Sequence, residues 1–289
     1  MRIVRFEHGG RPALGVRSGE TVVDLAAAAP GLPSDVGTLL SQGPAGLEAA
    51  ASAVRSAPSS ARLDLASLRL LPPTSAPSKI LMLGVNFVDH AAEGGEKKPE
   101  HPVLFLRAPS SLVGHGQPIV RPRCSEQLDF EGELAVLIGR RARHVPAAEA
   151  LSVVAGYSVF NDGSIRDYQL RTSQWTQGKC FDGTGGFGPE FVTADEVPPG
   201  ATGLRLQTRL NGRVMQDANT ADMIFSVAEA IAYFSACMTL EPGDVFSMGT
   251  PAGVGFLRNP PILMKPGDVC EVEIDALGVL RNPIVQETT

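Results

Sequence analysis

Short apolar runs separated by glycine and proline occupy most of the chain beyond residue 78. Seven runs have the length and β-branched content of strands. They lie at 79–85, 102–108, 132–139, 155–161, 204–210, 244–249 and 269–274. Glycine supplies 31 and proline 23 of the 289 residues, so the chain turns often. Because the runs outnumber the helical patterns and do not alternate with them, the sequence predicts an α+β, mostly β fold rather than a doubly wound sheet.

Two local signals identify a hairpin and a helix. Asn211-Gly212 separates two polar–apolar segments, and this pair favours the tight turn of a β-hairpin. Ser226 and Glu229 have the spacing of a capping box, and apolar residues follow them at helical spacing. We therefore expect a helix that begins just after Ser226.

The N-terminal residues have a different pattern. Residues 1–56 contain alternating segments and an alanine-rich stretch, and are too few for an independent core. Residues 57–78 contain four prolines and have the composition of a linker. We predict a small N-terminal α/β domain with its linker over residues 1–75 and a catalytic domain over residues 76–289.

Composition excludes several functional classes. The net charge is −6 and the basic residues are scattered, so nucleic acid is not an expected partner. No stretch approaches about 18 uninterrupted apolar residues, and the N-terminus lacks the apolar region of a signal peptide. The four cysteines lie far apart, which indicates a reducing compartment and no zinc site. We expect a cytoplasmic protein with no membrane contact.

Acidic residues in two predicted strands are candidate metal ligands. Asp129, Glu131 and Glu133 share one face of a strand, and apolar residues follow them on that face. Two like charges that enter the interior need a cation between them. Asp162, at the end of another strand, could add a third carboxylate, and three oxygen ligands suit Mg²⁺ or Mn²⁺ and less well Ca²⁺. The alternatives are an exposed acidic strand end at 131–133 and a simple turn or N-cap at Asp162.

A candidate general base lies in the segment 86–95. Asn86 is a plausible N-cap and a glycine pair ends a helix of about two turns, so His90 and Glu93 lie on one face. A histidine held against a carboxylate can take a proton from water near neutral pH. A surface helix pair is the alternative. A short helix between glycines also suits a lid.

Three further polar residues are candidates for substrate contacts. A helix that begins at Asp162 would bring Arg166 and Gln169 to the side of that residue. Arg166 could bind a substrate carboxylate or pair with an acid of the protein, and Gln169 could donate to a carbonyl group. Lys179, next to aromatic and glycine-rich sequence, could stabilise developing negative charge, and a solvated surface lysine is its alternative.

Two glycine-rich segments lead to opposite conclusions. Gly183-x-Gly185-x-x-Gly188 matches the dinucleotide-binding fingerprint only formally, since proline follows where a helix should begin. In the loop 248–255, backbone N–H groups and the Thr250 hydroxyl could hold a carboxylate, and a plain turn is the alternative.

Taken together, these motifs resemble the fumarylacetoacetate hydrolase family over about residues 78–285. The motifs are Asn86-x-x-x-His90-x-x-Glu93, Phe130-Glu131-Gly-Glu133-Leu134, Asn161-Asp162-x-x-x-Arg166-Asp167-x-Gln169, Trp175-x-x-x-Lys179, Leu240-x-Pro242-Gly243-Asp244 and Gly249-Thr250-Pro251-x-Gly253-Val254-Gly255. The resemblance implies a mixed β-roll with short peripheral helices and a variable N-terminal extension, in a homodimer. It also implies a divalent metal, commonly Mg²⁺ or Mn²⁺, at Glu131, Glu133 and Asp162.

The resemblance also implies roles for the remaining candidates. His90 and Glu93 would activate water, and Lys179 and Gln169 would polarise the substrate. Arg166 and Thr250 would lie in the substrate site. One departure is Arg107, at a position where many relatives carry lysine, so no role is assigned to it.

The expected activity is metal-dependent hydrolysis of a carbon–carbon bond in an acylpyruvate-like 2,4-dioxo acid, in the catabolism of aromatic compounds or sugar acids. The same metal–enolate chemistry permits isomerisation of a hydroxymuconate-type diacid, and decarboxylation or tautomerisation of oxaloacetate. Two different classes complete the alternatives: a metal-dependent binding protein without turnover, and an NAD-linked oxidoreductase.

Overall fold

The computed structural model describes residues 1–288, which contain nineteen strands and eight α-helices. The strands are β1 (Arg2–His8), β2 (Arg11–Ser18), β3 (Thr21–Asp24), β4 (Arg62–Asp64), β5 (Arg69–Leu71), β6 (Ile80–Gly84), β7 (Val103–Leu106), β8 (Leu112–Val113), β9 (Ile119–Arg121), β10 (Leu128–Asp129), β11 (Gly132–Ile138), β12 (Val154–Asp162), β13 (Ser164–Ile165), β14 (Gly185–Thr193), β15 (Arg205–Leu210), β16 (Arg213–Asn219), β17 (Val245–Ser247), β18 (Val269–Ile274) and β19 (Gly278–Gln286). The helices are α1 (Leu25–Ala28), α2 (Val36–Ser41), α3 (Pro44–Ser56), α4 (Val88–Glu93), α5 (Ala147–Ala150), α6 (Arg166–Gln169), α7 (Thr176–Lys179) and α8 (Val227–Cys237). The α+β, mostly β prediction is confirmed.

The strands form one large sheet, one smaller sheet and a short strand pair. The large sheet has twelve strands, ten of them in the order β4-β3-β2-β1-β14-β12-β11-β17-β6-β7, with β5 beside β1 and β8 beside β14. The smaller sheet has the order β16-β15-β18-β19-β9, and β10 pairs with β13. Most pairs are antiparallel, but β6 with β17, β8 with β14 and β9 with β19 are parallel. The sheets are therefore mixed, as expected.

The centre of the large sheet is buried on both faces. All seven residues of β11 are buried. On one face, Leu134 and Val136 belong to a cluster with α8 and the smaller sheet. On the other, Ala135 and Leu137 belong to a cluster with α2 and α3. Burial on both faces explains the continuous apolar sequence of this strand.

The N-terminal residues share the large sheet with the rest of the chain. Strand β1 pairs with β14, with Arg2 opposite Val192. The proline-rich segment 57–78 contains the short strands β4 and β5, which pair with β3 and β1. The first 75 residues are thus joined to the rest of the large sheet by backbone hydrogen bonds.

The local signals for a hairpin and a helix are confirmed. Asn211 and Gly212 have φ angles of 52° and 78° and connect β15 to β16. Ser226 caps α8, and Glu229 completes the capping box. None of the helices within residues 1–288 combines the length and apolar character that a membrane-spanning segment requires.

Two long strands are absent from the sequence-based prediction. Strand β19 continues the hairpin from β18, and β14 lies between β1 and β12 in the large sheet. Gly185, Gly186 and Gly188 lie within β14. No helix follows them there, which agrees with the rejection of the dinucleotide fingerprint.

Candidate active site

Three carboxylates meet at one end of the paired strands β11 and β12. The strands are antiparallel, so the beginning of β11 lies beside the end of β12, and Gly132 pairs with Asn161. Glu131 directly precedes β11, Glu133 lies in it, and Asp162 ends β12. Their carboxylate oxygens come within 4.8 Å of one another, and all three residues are buried. The strand pairing gathers the three predicted metal ligands into one cluster.

Gly132, between the two glutamates, packs against the smaller sheet without room for a side chain. A Cβ at this position would lie 2.2 Å from Thr208 Oγ1. Its N–H donates to Gln216 Oε1 at 2.9 Å, and its carbonyl oxygen accepts from Thr250 Oγ1 at 3.0 Å. These contacts hold the backbone between the glutamates and so orient both side chains.

Lys179 lies inside the carboxylate cluster. It is 1% exposed, so the alternative of a solvated surface lysine is wrong. Its Nζ lies 2.7 Å from Glu131 Oε2, 2.6 Å from Asp162 Oδ2 and 2.6 Å from Ser164 Oγ. An ammonium group has three protons. Each proton of Lys179 is therefore directed at an oxygen of the protein.

Two buried arginines neutralise the outer side of the cluster. Arg107 donates through Nη1 to Asp162. Arg166 lies 2.6 Å from Glu131 Oε1 and 2.7 Å from Asp129 Oδ2. With Lys179, three cations thus face four carboxylates. One negative charge remains uncompensated.

The three candidate ligands differ in pKa because their electrostatic surroundings differ. Burial would raise every carboxyl pKa, but Lys179 and Arg166 outweigh it at Glu131 and lower that pKa to about 2. Burial, followed by repulsion from Asp162 and Glu131, raises the pKa of Glu133 well above its ordinary value. Burial also raises the pKa of Asp162 against the opposing effect of Lys179. Within residues 1–288, no side chain forms an ion pair with Glu133.

A divalent cation fits this cluster. The ligand atoms are all carboxylate oxygens, and no histidine or cysteine of the described chain joins them. Hard ions such as Mg²⁺ and Mn²⁺ prefer oxygen ligands. Such an ion would give Glu133 the cationic partner that it lacks. Its two positive charges would exceed the one uncompensated negative charge of the cluster.

His90 and Glu93 lie together on α4, as the sequence predicts. His90 Nδ1 is 3.4 Å from Glu93 Oε2, and both oxygens of Glu93 accept from Gly253 N at 3.0 Å. Burial opposes ionisation of Glu93, but the hydrogen bonds from His90 and Gly253 prevail and lower its pKa. Because ionised Glu93 favours a proton on Nδ1, the Nε2 atom of neutral His90 is left as the base.

The start of α4 differs from the prediction. Phe87, not Asn86, is the N-cap, and no side chain caps the helix. Asn86 is buried, and its Nδ2 donates to Met248 O at 2.7 Å and to Phe225 O at 3.1 Å. Its Oδ1 accepts from Phe225 N at 2.8 Å. Asn86 therefore attaches the segment that carries His90 to the residues after β17 and before α8.

The glycine-rich loop 248–255 binds carboxylates of the protein itself. The pairs are Gly249 N with Glu133 at 3.0 Å, Gly253 N with Glu93 at 3.0 Å and Gly255 N with Asp129 at 2.9 Å. The N–H groups of this loop therefore do hold carboxylates, and for these three the carboxylates belong to the protein. Gly253 has a φ of 102°, and a Cβ there would lie 2.2 Å from Met215 O, so this contact requires glycine.

Arg166 and Gln169 come together, but not through a helix that begins at Asp162. Asp162 ends β12, β13 follows, and α6 begins at Arg166. Arg166 Nη1 donates to Gln169 Oε1 at 2.8 Å. The sequence left two roles open for Arg166, and its observed contacts are with acids of the protein. Gln169 Nε2 has no protein acceptor in residues 1–288 and is available to a substrate.

A cavity of about 260 Å³ opens onto the carboxylate cluster. The predicted site residues in its wall are His90, Glu131, Glu133, Arg166, Gln169, Lys179 and Thr250. Glu93 and Asp162 lie behind this wall, in contact with His90 and Lys179. The Thr250 hydroxyl donates to Gly132 O and accepts from Gln216 Nε2 at 2.8 Å.

Two further charged residues, Arg107 and Asp129, lie at the site, and sequence reasoning assigned no role to either. Arg107 is 3% exposed and also donates through Nη2 to Thr184 Oγ1 at 2.6 Å. Its position at the end of the apolar run 102–108 is a usable signal, because a charge in a buried strand needs a partner. Asp129 is fully buried and accepts from Arg166 and from the loop N–H groups of Gly255 and Phe256. It supports Arg166 and is not one of the three candidate metal ligands.

Comparisons with known proteins match almost the whole chain. Residues 79–285 match the family described as fumarylacetoacetate (FAA) hydrolase, C-terminal, and residues 1–73 match one described as Rv2993c-like, N-terminal. The mitochondrial oxaloacetate tautomerase fahd2 of Xenopus laevis is 39% identical over 99% of this chain and 90% of its own length. The structure of a fumarylacetoacetate hydrolase from Exiguobacterium antarcticum is 36% identical, with a TM-score of 0.85, over 99% of this chain and 100% of that chain.

A third similar protein was solved with a metal. Maleylpyruvate hydrolase from Sphingobium sp. SYK-6, in complex with manganese(II) and pyruvate, is 31% identical, with a TM-score of 0.82, over 100% of both chains. The similar proteins therefore include hydrolases and a tautomerase, one of them in complex with a divalent ion and a 2-oxo acid.

Proposed function

The chain belongs to the fumarylacetoacetate hydrolase family of enzymes, and from this premise we propose that it catalyses keto–enol tautomerisation of a 2-oxo acid with a second carbonyl group at C4. Oxaloacetate and the acylpyruvates are acids of this kind. The proposed cofactor is Mg²⁺ or Mn²⁺ at Glu131, Glu133 and Asp162. When bound, this ion would stabilise negative charge on the oxygen of the 2-oxo group.

His90 and Glu93 supply the proton transfer in this proposal. His90 takes a proton from C3 of the substrate through Nε2. The electron pair of the C3–H bond forms the C2–C3 double bond, and the π pair of the C2 carbonyl moves onto its oxygen to give the enolate. The imidazolium then gives the proton to the enolate oxygen, so no water is consumed. Glu93 holds the Nδ1 proton and favours the imidazolium that forms.

The three contacts of the Lys179 ammonium group are the observation that most favours tautomerisation over hydrolysis. Hydrolysis creates a tetrahedral oxyanion, for which a free charged donor is a better partner than the neutral amide of Gln169. All three protons of Lys179 are directed at Glu131, Asp162 and Ser164, so this lysine must give up one contact to reach an oxyanion. Beyond the proposed ion, tautomerisation needs only the base and a neutral donor such as Gln169 Nε2.

Carbon–carbon hydrolysis of an acylpyruvate is the second candidate. The His90–Glu93 pair favours it, because the same base could take a proton from water. The similarity to maleylpyruvate hydrolase supports it as well. Hydrolysis would release a carboxylic acid and pyruvate, whereas tautomerisation leaves the carbon skeleton intact.

Deuterium exchange separates the two candidates. Purified enzyme with Mn²⁺ or Mg²⁺ is mixed in D₂O with oxaloacetate or an acylpyruvate, and NMR follows both C3 deuteration and product formation. The tautomerase proposal predicts exchange above the uncatalysed rate, lost with EDTA and with His90→Gln, and no cleavage. Cleavage at the rate of exchange would replace it with the hydrolase, and evolution of CO₂ would indicate a decarboxylase.

A homodimer and a cytoplasmic location remain predictions. Light scattering of the purified protein would test the dimer, for which a monomeric mass at micromolar concentration is the opposing result. The tautomerase of Xenopus laevis bears a mitochondrial name, so fractionation of cells that express this chain is the relevant test of location.

A further inference from the structure

We propose that the outer part of the active-site cavity selects a substrate whose group beyond C4 is apolar and uncharged, and that Glu96 and the aromatic wall of Phe105 and Trp175 set this selectivity. The inference rests on the proposed function of the same site and names the substrate class that the cavity accepts.

The aromatic wall begins directly beside the carboxylate cluster. Lys179 Nζ lies 5.1 Å from the centroid of the Phe105 ring. The ring of Trp175 meets Phe105 edge to face, with centroids 5.8 Å apart and an interplanar angle of 69°. A Cβ at Gly84 would lie 2.2 Å from the indole, so glycine at this position gives the Trp175 ring its place in the wall. Both rings line the same cavity as Glu131, Glu133 and Lys179.

The cavity wall contains six further apolar residues. They are the aliphatic or aromatic residues Leu83, Val85, Leu170, Val254, Phe256 and Leu257. Leu170 is 58% exposed and Leu257 is 40% exposed, which places them towards the mouth. Apolar surface of this kind favours burial of a hydrocarbon group.

The cations in the wall are already paired. Lys179 and Arg166 contact the buried acids, and His90 contacts Glu93. Arg258, near Glu93, donates to the carbonyl oxygens of Gly253 and Met215 and is not part of the wall. No unpaired cation of residues 1–288 is therefore available in the wall for a substrate carboxylate that lies beyond C4.

Glu96 adds a negative charge to this wall. It follows the glycine pair after α4, is itself exposed, and lines the cavity. Lys97 and Lys98 are exposed and do not line it. A distal carboxylate would lose water among apolar side chains and face Glu96 without a counter-ion, both of which are unfavourable.

A pair of substrates with equal carbon count tests the inference. Butanoylpyruvate ends in a methyl group, and succinylpyruvate ends in a carboxylate at the same position. With Mn²⁺-loaded enzyme, the ratio of kcat/KM for the two acids is measured by C3 deuterium exchange and by consumption. We expect butanoylpyruvate to be favoured by about 100-fold. Equal rates, or a preference for succinylpyruvate, would overturn the inference.

Charge variants of one loop supply the control. Glu96→Lys is expected to raise the ratio of kcat/KM for succinylpyruvate to kcat/KM for butanoylpyruvate about tenfold. Glu100→Lys makes the same charge change on the same loop at an exposed residue outside the wall, and is expected to change neither. If Glu96→Lys fails to fold, Leu257→Lys at the mouth of the cavity provides the test. This variant should also raise kcat/KM for succinylpyruvate relative to butanoylpyruvate. Equal effects of Glu96→Lys and Glu100→Lys would contradict a local role for Glu96.

Binding measurements keep this inference separate from the proposed function. If the enzyme turns over neither acid, the tautomerase proposal fails, and calorimetric Kd values for the two acids still test the selectivity. Tighter binding of butanoylpyruvate supports the proposed selectivity of the cavity, and equal or tighter binding of succinylpyruvate refutes it. If both acids react but the diacid reacts faster, only the inference on selectivity fails.

Discussion

Replacement of Glu133 by glutamine should stabilise the metal-free protein and weaken its response to metal. At 4.8 Å, the largest separation of the ligand oxygens, two like charges repel by about 3 kcal/mol at an effective dielectric constant of about 20. Glu133 faces two such charges, and Lys179 offsets part of the repulsion. We therefore expect Glu133→Gln to raise the free energy of unfolding by about 1–3 kcal/mol at pH 8 in EDTA. The Tm should rise by several degrees.

The substitution preserves the contacts that orient the side chain. Glu133 Oε2 accepts from Gly249 N at 3.0 Å and from the Ser247 hydroxyl, and the amide oxygen of glutamine can accept both. With Mn²⁺ at about 100 times its Kd, the wild-type protein should gain about 2.7 kcal/mol, and the variant should gain much less. Thermal and urea unfolding with and without metal measure both effects.

Glu190→Gln is the matched control. Glu190 is also a buried glutamate of the large sheet, but it contacts Arg2 and Arg17 and lies outside the cluster. This variant should lose stability in EDTA and keep the full metal response. If Glu133→Gln destabilised the metal-free protein and kept the wild-type metal response, the repulsive triad and its role as a cation site would both be refuted.

Three further predictions concern the neighbours of this cluster. Arg107→Met should lower the free energy of unfolding by about 3 kcal/mol, because it removes one of the two buried cations that pair with Asp162 and leaves only Lys179; urea unfolding should show partial recovery in Arg107→Met/Asp162→Asn, and no recovery would argue against the pair. His90→Gln should lower kcat by about 10²–10⁴-fold and leave the calorimetric Kd of Mn²⁺ unchanged, whereas an equal loss of metal affinity would place His90 among the ligands. Because the pKa of Glu133 is raised, the folded metal-free protein holds a proton that the unfolded chain releases. The free energy of unfolding should therefore fall as the pH rises above the ordinary glutamate pKa and through the raised one. The raised pKa of Asp162 acts in the same direction, and a Tm in EDTA that rises over this pH range would contradict both assignments.

Periodicity and local spacing predicted most of the site. The alternation of side chains in a strand placed Glu131 and Glu133 on one face, and the i to i+3 spacing paired His90 with Glu93. These features depend only on the geometry of a single element. The meeting of Asp162 with the two glutamates depends on the pairing of β11 with β12, which the sequence suggests only through the family resemblance.

The errors arose where tertiary contacts outweigh local preference. Asn86 resembles an N-cap, but its amide bonds to the backbone of Met248 and Phe225, which are distant in sequence. Strand β14 contains three glycines and a proline, so its propensity is low, and its position between β1 and β12 stabilises it. The loop around Gly253 has N–H groups that look free in sequence, and only the fold shows that carboxylates of the protein use them.

Anomalous diffraction from a crystal grown with Mn²⁺ tests the central claim most directly. The account predicts one strong manganese peak per chain, within about 2.0–2.6 Å of an oxygen of each of Glu131, Glu133 and Asp162. A peak bound elsewhere, or a crystal in saturating Mn²⁺ with Lys179 alone between these carboxylates, would contradict it.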